Sequence, residues 1–440
     1  MIEQINTYRE AEEYINTIPK FTSKNSMEHT KRFLEHLGNP AQNSKMIHIA
    51  GTNGKGSVCA YLCSVFKEAG ISAGMFISPH LVTMRERFVI EGKIISEEAF
   101  LEAFRIVAAY LQKLPEDLQR ISYHPTFFEF LFFMAMVIFK RSGVEYVVME
   151  TGLGGRLDAT NSAENKVMCI LTAIGYDHME YLGDTLTEIT FEKAGILRSG
   201  IPVVYPVKQA EVADKIRECA GQTGAEIFPV EKQAIKEIKI HHKTIDFSLH
   251  LHYYDYISFT VSTSAVYQIE NASLAIRALE LLADERITVP VMQAGVRKAF
   301  WEGRMEEILP SVYLDGAHNI DGILAFIETV KSHPCQGRRK LLYSVVKDKQ
   351  YQAVIEALAS SGLFDVIGVV ALTDARALPL AALEENFRQY TGFECRMYEA
   401  LDTAMKELVF GKGDEDKVYI VGSLYLVGEV KALLRRPRHD

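Results

Sequence analysis

The sequence predicts an α/β protein in two parts: a parallel-sheet unit with a small antiparallel β addition, followed by a second α/β series. Three observations carry this. Short β-like runs alternate with helix-period stretches from residue 45 onward. The pattern changes to alternating, aromatic-rich runs over residues 235–262, and β/α alternation resumes after residue 300. At 440 residues the chain is also too long for one ordinary core.

Lys45-Met46-Ile47-His48-Ile49-Ala50 reads as the first strand. Val58, Tyr61, Leu62, Val65, Phe66 and Ala69 then form the stripe of an amphipathic helix, and Gly70 is placed to end it. Further strands are expected at Ala73 to Ile77, Tyr146 to Met149, Val167 to Thr172 and Pro202 to Tyr205. Strands separated by helices of this length imply crossover connections and a parallel sheet. Phe127 to Phe139 is too short for the ~20 residues of a membrane helix and contains Glu129, so it reads as a buried helix. In the antiparallel addition His250 and His252 would share a strand face, solvated rather than metal-bound for want of a third ligand in register. Helical spacing returns over Asn271 to Ala283 and Val291 to Phe300. Strands then follow at Val312 to Leu314, Lys340 to Val346, Val366 to Val370 and Lys417 to Val421. The domain boundary is therefore expected near residue 300, giving units 1–300 and 301–440.

Composition narrows the partners. The net charge of −9, with no basic run beyond the tail Arg435-Arg436-Pro437-Arg438, argues against nucleic acid. Six scattered cysteines without a C-x-x-C pair suit reduced thiols in a cytoplasmic protein, with Cys59 and Cys63 simply packing one helical turn apart. The N-terminus lacks the basic-then-apolar pattern of a signal peptide.

Chemistry concentrates at the predicted strand ends. Gly51-Thr52-Asn53-Gly54-Lys55-Gly56-Ser57 lies between a strand and a helix. Glycines there let backbone N–H groups surround phosphate oxygens, and the helix N-terminus adds a positive field. Lys55 would neutralise outer phosphates and Ser57 would offer a hydroxyl to Mg²⁺. The spacing departs from the common G-x-x-x-x-G-K-[ST] loop, since Gly56 intervenes before Ser57. Ser78-Pro79-His80, Glu150 and Asp177-His178 fall at the same edge of one sheet, where ligands of open α/β sheets gather. Hydroxyl, carboxylate and imidazole together could hold a divalent cation. The cluster Gly152 to Thr160 reads as a substrate loop, with Arg156 available to a carboxylate or phosphate.

With Leu81, Glu150 to Asn161, Leu182-Gly183, Glu192-Lys193-Ala194-Gly195-Ile196, Gly303-Arg304, Leu314-Asp315-Gly316-Ala317-His318-Asn319 and Gly422-Ser423-Leu424-Tyr425-Leu426, these motifs resemble, in order, those of the folylpolyglutamate synthase/dihydrofolate synthase family of the Mur ligase superfamily. The resemblance spans nearly the whole chain. It implies a P-loop ATPase-type N-terminal domain and a Rossmann-like C-terminal domain. It also implies an ATP-dependent ligase that adds L-glutamate to the glutamate carboxylate of (tetrahydro)folate through an acyl phosphate, with dihydropteroate as a further acceptor in bifunctional members.

Carried over residue by residue, the resemblance assigns Gly51, Thr52, Asn53, Gly54, Lys55, Gly56 and Ser57 to ATP, with Asn271 near adenine and Arg304 and Asp315 also on the nucleotide. Ser57, Ser78, Glu150, His178 and a carbamylated Lys193 would serve Mg²⁺. The expected catalytic set is Lys55, Glu150, His178, Lys193 and Arg304. Thr126, Phe127, Phe128, Glu129, Leu157, Asp158 and Ala159 would form the pterin pocket, an ordinary helix core being the other reading of the two phenylalanines. His318 and Ser423 would meet glutamate. Arg85 and Arg87 read as solvated charges or as part of a loop over the folate tail. The expected partners are small molecules only, with no nucleic acid and no membrane, and the expected state is a cytoplasmic monomer. The competing reading is a Mur-type amide ligase for another carboxylic acid. A cell-wall Mur ligase fits less well, because a further N-terminal domain for the UDP group is not expected in the 50 residues before Gly51.

Overall fold

A computed structural model describes residues 4–19, 25–347, 350–373 and 377–435. The expected basic tail lies almost wholly outside the described residues. Three sheets organise the chain. The first has eight strands: β1 (Lys45–Ala50), β2 (Ala73–Phe76), β3 (Phe88–Ile90), β4 (Lys93–Ile94), β5 (Tyr146–Glu150), β6 (Lys166–Leu171), β7 (Pro202–Val207) and β8 (Glu226–Glu231). Their order is β4-β3-β2-β5-β1-β6-β7-β8. Strands β2, β5, β1, β6, β7 and β8 run parallel, and β3 and β4 add an antiparallel edge. The second sheet is antiparallel, β9 (Ile235–Ile240), β10 (Ile245–His250) and β11 (Tyr256–Val261). The third contains β12 (Glu306–Leu309), β13 (Val312–Leu314), β14 (Arg339–Tyr343), β15 (Val366–Val370), β16 (Glu394–Tyr398) and β17 (Lys417–Val421), ordered β12-β13-β17-β14-β15-β16. All its pairs are parallel except β12 with β13.

The central strand β1 is buried from Met46 to Ala50, as a parallel strand covered on both faces must be. Its polar His48 is fully enclosed and shares a 2.8 Å hydrogen bond with Thr160 Oγ1. Helix Lys55–Glu68 buries Val58, Leu62, Val65 and Phe66 against one sheet face. Helix Phe127–Ser142 is buried over most of its length, as its unbroken apolar run requires, and packs in the core of the opposite face. The residue that interrupts that run, Glu129, is the third residue of a capping box with Thr126. No helix among the described residues is long and apolar enough to cross a membrane. All six cysteines are free. His252 lies beyond the end of β10, so it does not share that strand's face with His250; its ring instead meets Phe228 and Tyr253.

Candidate active site

The loops that leave β1, β2, β5 and β6 emerge at one edge of the first sheet, because those four strands are parallel neighbours. The loop after β1 is held tightly from below. A Cβ on Gly51 would lie 1.9 Å from Thr172 Oγ1, and one on Gly54 would lie 2.2 Å from Asn271 Oδ1. Gly54 also has φ +96°, so only glycine suits both its conformation and its surroundings. A Cβ on Gly56 would meet the Trp301 ring at 2.8 Å. Lys55 Nζ donates to the Gly51 and Thr52 carbonyls at 3.1 Å each and stands 3.9 Å from Glu150 Oε1. Lys193, also buried, donates to Gly51 O at 2.9 Å.

Glu150 is the last residue of β5 rather than the first of a loop. Burial raises its carboxyl above the ordinary range, opposed first by Lys55 and then by the Ser78 N–H, which donates at 3.1 Å. Ser57 Oγ accepts from Gln268 Nε2 at 3.0 Å and keeps its own proton. His178, half-buried with φ +52°, precedes the short helix Met179–Leu182.

The third sheet brings its own carboxyl-end turns to the same place. Asp315 follows β13, and Ser423 follows β17 beside it. Asp315 accepts from Tyr267 Oη at 2.5 Å, Met305 N at 3.0 Å and Ala317 N at 2.8 Å. Burial raises its carboxyl, with Arg304 the largest opposing influence. The two sheets are joined across the site by reciprocal amide bonds of 3.0 and 3.1 Å between Asn53 and Asn319. Asn319 Nδ2 also reaches Asp177 Oδ2 at 3.1 Å, and His318 Nε2 lies 3.6 Å from the same oxygen. A cavity of about 230 Å³ opens beside Ser57, lined by Gln268, Phe300, Trp301 and Arg304.

The chain matches the Mur ligase middle domain over residues 49–279 and the Mur ligase glutamate ligase domain over residues 303–424. It is 33% identical over 445 aligned positions to a Bacillus subtilis protein named dihydrofolate synthase/folylpolyglutamate synthase, covering 97% of this chain and 99% of that one. It belongs to the folylpolyglutamate synthase/dihydrofolate synthase family of Mur ligases. The fold agrees with E. coli FolC in complex with DHPP and ADP, at TM-score 0.85 and 25% identity over 98% of both chains. It agrees likewise with Mycobacterium tuberculosis folylpolyglutamate synthase complexed with ADP and AMPPCP, at TM-score 0.87 and 26% identity over 98% of both chains.

Within this Mur ligase the remaining candidates divide. Phe128 stands over the second glycine loop, where a Cβ on Gly152 would meet its ring at 2.6 Å. Phe127 is buried at the start of its helix, and Leu157 is exposed. Glu129 is occupied by Asn25 and the Thr126 N–H at 2.7 Å each and by Thr30 at 2.9 Å. Asp158 receives Gly152 N at 2.9 Å, Leu153 N at 2.8 Å, and both Thr160 N and Thr160 Oγ1, while Ala159 is buried beside it. Its carboxylate therefore organises the loop. Arg156 is not available as expected: Nε and Nη2 bind Glu192 Oε1 at 3.1 and 2.7 Å. Ser423 Oγ accepts from Tyr425 N at 3.1 Å, at the start of helix Leu424–Arg435.

Sequence reading missed Gln268, Tyr267 and Trp301 as parts of the site, and it placed Asn319 in a motif without giving it a role. Trp301, the chain's single tryptophan, sits just after a predicted helix and beside Gly303-Arg304, which was the available signal.

Proposed function

We propose that the chain is an ATP-dependent ligase that adds L-glutamate to the glutamate carboxylate of tetrahydrofolate, and that the same site accepts dihydropteroate for the first glutamate. The observation that carries this reading is the meeting of the Lys55 phosphate loop with the Arg304/Asp315 turn of the third sheet, through Asn53–Asn319 and Tyr267–Asp315. Residues 1–300 and 301–440 are read as the two domains, because the first two sheets end at Val261 and the third begins at Glu306. The protein is read as a monomer. The free cysteines support a cytoplasmic protein.

The oxygen donors fit Mg²⁺. Ser57 retains a lone pair, and Glu150 is a buried carboxylate whose charged form a divalent cation would favour. Ser78 and His178 would complete the set, and Lys193 would join it only as a carbamate, which converts its cation to an anion. Among the described residues no three His, Cys, Asp or Glu side chains gather as a ready metal cage. That suits a cation bound by few protein groups plus substrate phosphates. When bound, Mg²⁺ would neutralise the phosphates.

In the reaction the acceptor carboxylate attacks the γ-phosphorus of ATP, the bond to ADP breaks, and an acyl phosphate forms. The glutamate amine then attacks the acyl carbon and phosphate leaves. The protein's part is positioning and charge neutralisation. Lys55 and Arg304 hold the transferring phosphoryl group, Asn271 and Asp315 hold the nucleoside, and Phe127, Phe128 and the Asp158 loop receive the pterin. His318 and Ser423 are read as the glutamate contacts.

The test is ADP release with ATP, Mg²⁺ and glutamate, adding tetrahydrofolate or dihydropteroate separately. Release with either acceptor is the expected result. Release with tetrahydrofolate alone removes the dihydropteroate activity, and silence with both removes the folate assignment in favour of another acid.

A further inference from the structure

Arg87 closes the turn Met84–Arg87 that carries the chain from Ser78 into β3. It is only 6% exposed, yet its side chain makes a single hydrogen bond among the described residues, from Nε to His80 Nδ1 at 2.9 Å. Its guanidinium carbon stands 5.6 Å from the Phe127 ring. Burial pulls its pKa down to about 10, and the charges that partly restore it are Glu150, Tyr425 and Glu86. Among the described residues neither acid forms an ion pair with it. Glu86 accepts from the Leu81, Val82 and Thr83 N–H groups, and Glu150 already faces Lys55 and the Ser78 N–H. The terminal N–H groups of Arg87 form no hydrogen bond among the described residues, yet they are not enclosed, so they stay open to an anion that enters the site.

The surroundings define that anion. Arg87 stands beside the ring of Phe127, the first residue of the Phe127–Ser142 helix, and within electrostatic reach of Glu150 at the end of β5 and of Tyr425 in the third-sheet unit. A group held there lies between nucleotide phosphates and an aromatic pocket. We propose that Arg87 binds the reacting carboxylate of the acceptor acid and keeps hold of the acyl phosphate formed from it. This rests on the ligase reading given above. The planar fork of N–H donors matches a carboxylate or phosphate with two parallel bonds, which a lysine cannot reproduce. One carboxylate oxygen attacks phosphorus while the other stays on Arg87. When the amine displaces phosphate, the acyl C–O bond breaks, its electron pair and the amine's proton leave with phosphate, and Arg87 releases the amide.

The experiment compares wild type with Arg87→Ala and Arg87→Lys in the full chain. It measures ADP release, the KM for each substrate, ADP binding by calorimetry and thermal unfolding. Loss of one preorganised donor group lowers kcat by about 10²-fold. Arg87→Ala is expected to show that loss together with a raised KM for the acceptor, unchanged ADP affinity, and partial rescue by added guanidinium ion. Arg87→Lys is expected to recover less than guanidinium does. An active wild type with an Arg87→Ala variant within about threefold of it overturns the role alone. Equal damage to ADP binding and folding without rescue, or full recovery in Arg87→Lys, also overturns it. A wild type silent with every folate acceptor overturns the ligase reading and Arg87's role together.

Discussion

Two glycine-rich loops leave neighbouring strands of the first sheet, and they use similar residues in opposite ways. The loop after β1, Gly51 to Ser57, is packed from outside: Thr172, Asn271 and Trp301 press on its glycines, and Lys193 takes its first carbonyl. The loop after β5, Gly152 to Ser162, is closed from within, its N–H groups gathered by Asp158. Glycine content alone therefore does not mark a phosphate site. What separates the two is the sign of the group at their centre: the Lys55 ammonium gathers the first loop's own carbonyls, whereas the Asp158 carboxylate gathers the second loop's N–H groups.

The largest contrast should come from Lys55. Lys55→Ala removes the only side-chain cation of the first loop, and ADP release should fall by ~10³-fold or more while the protein stays folded. Near-wild-type turnover would break the assignment of that loop to phosphate. Next comes Gly54→Ala. A methyl group would have to displace Asn271 Oδ1 and hold φ +96°, a strain of ~1–3 kcal/mol. Nucleotide affinity measured by calorimetry should weaken ~10-fold or more, with the acceptor KM less affected.

The second loop predicts the reverse pattern. Asp158→Asn replaces an acceptor-only carboxylate with a group that can donate, leaving loop N–H groups unpaired at about 1–3 kcal/mol. The acceptor KM should rise while the ATP KM stays near wild type. An equal rise in both would show that the loops are coupled rather than independent.

How legible each loop was follows from the range of its interactions. The first loop could be read because strand, glycines, lysine and helix are contiguous, and β1 is buried on both faces. The same holds for β13, β15 and β17, whose buried runs stand out. Strands β8, β12 and β16 escaped notice because edge strands need no continuous apolar run; β8 even contains Pro229, which an edge tolerates. The site's cross-links were hidden for a different reason. Asn53 and Asn319 are 266 residues apart, and two asparagines carry no sign of pairing until the sheets meet. Arg156 looked like an anion ligand because Glu192, its partner in space, sits in a separate motif.

Beneath the second loop lies a titratable anchor. Lys166 donates to Asn161 Oδ1 and Ile196 O, and burial drops its pKa to about 7. The unfolded lysine keeps its proton to much higher pH, so burial lowers stability fully below about pH 7, and this penalty fades as pH rises toward the unfolded value. Wild-type stability should therefore gain on Lys166→Met by roughly 1 kcal/mol per pH unit between about pH 7 and 9. Denaturant unfolding at several pH values checks this, and a constant difference between the two proteins would mean that the amine is uncharged or solvated throughout.

The smallest expected effect is the sharpest test of how the two loops differ. Arg156 is 44% exposed at its side chain, and its ion pair with Glu192 is the kind that contributes at most about 1 kcal/mol. If the second loop is closed on itself, Arg156→Ala should shift the denaturation midpoint only slightly and leave both KM values within about twofold. If instead the acceptor KM rises tenfold with stability unchanged, the pair opens when the acid binds and Arg156 acts on the ligand. The second loop would then be a ligand-binding loop rather than one closed on itself.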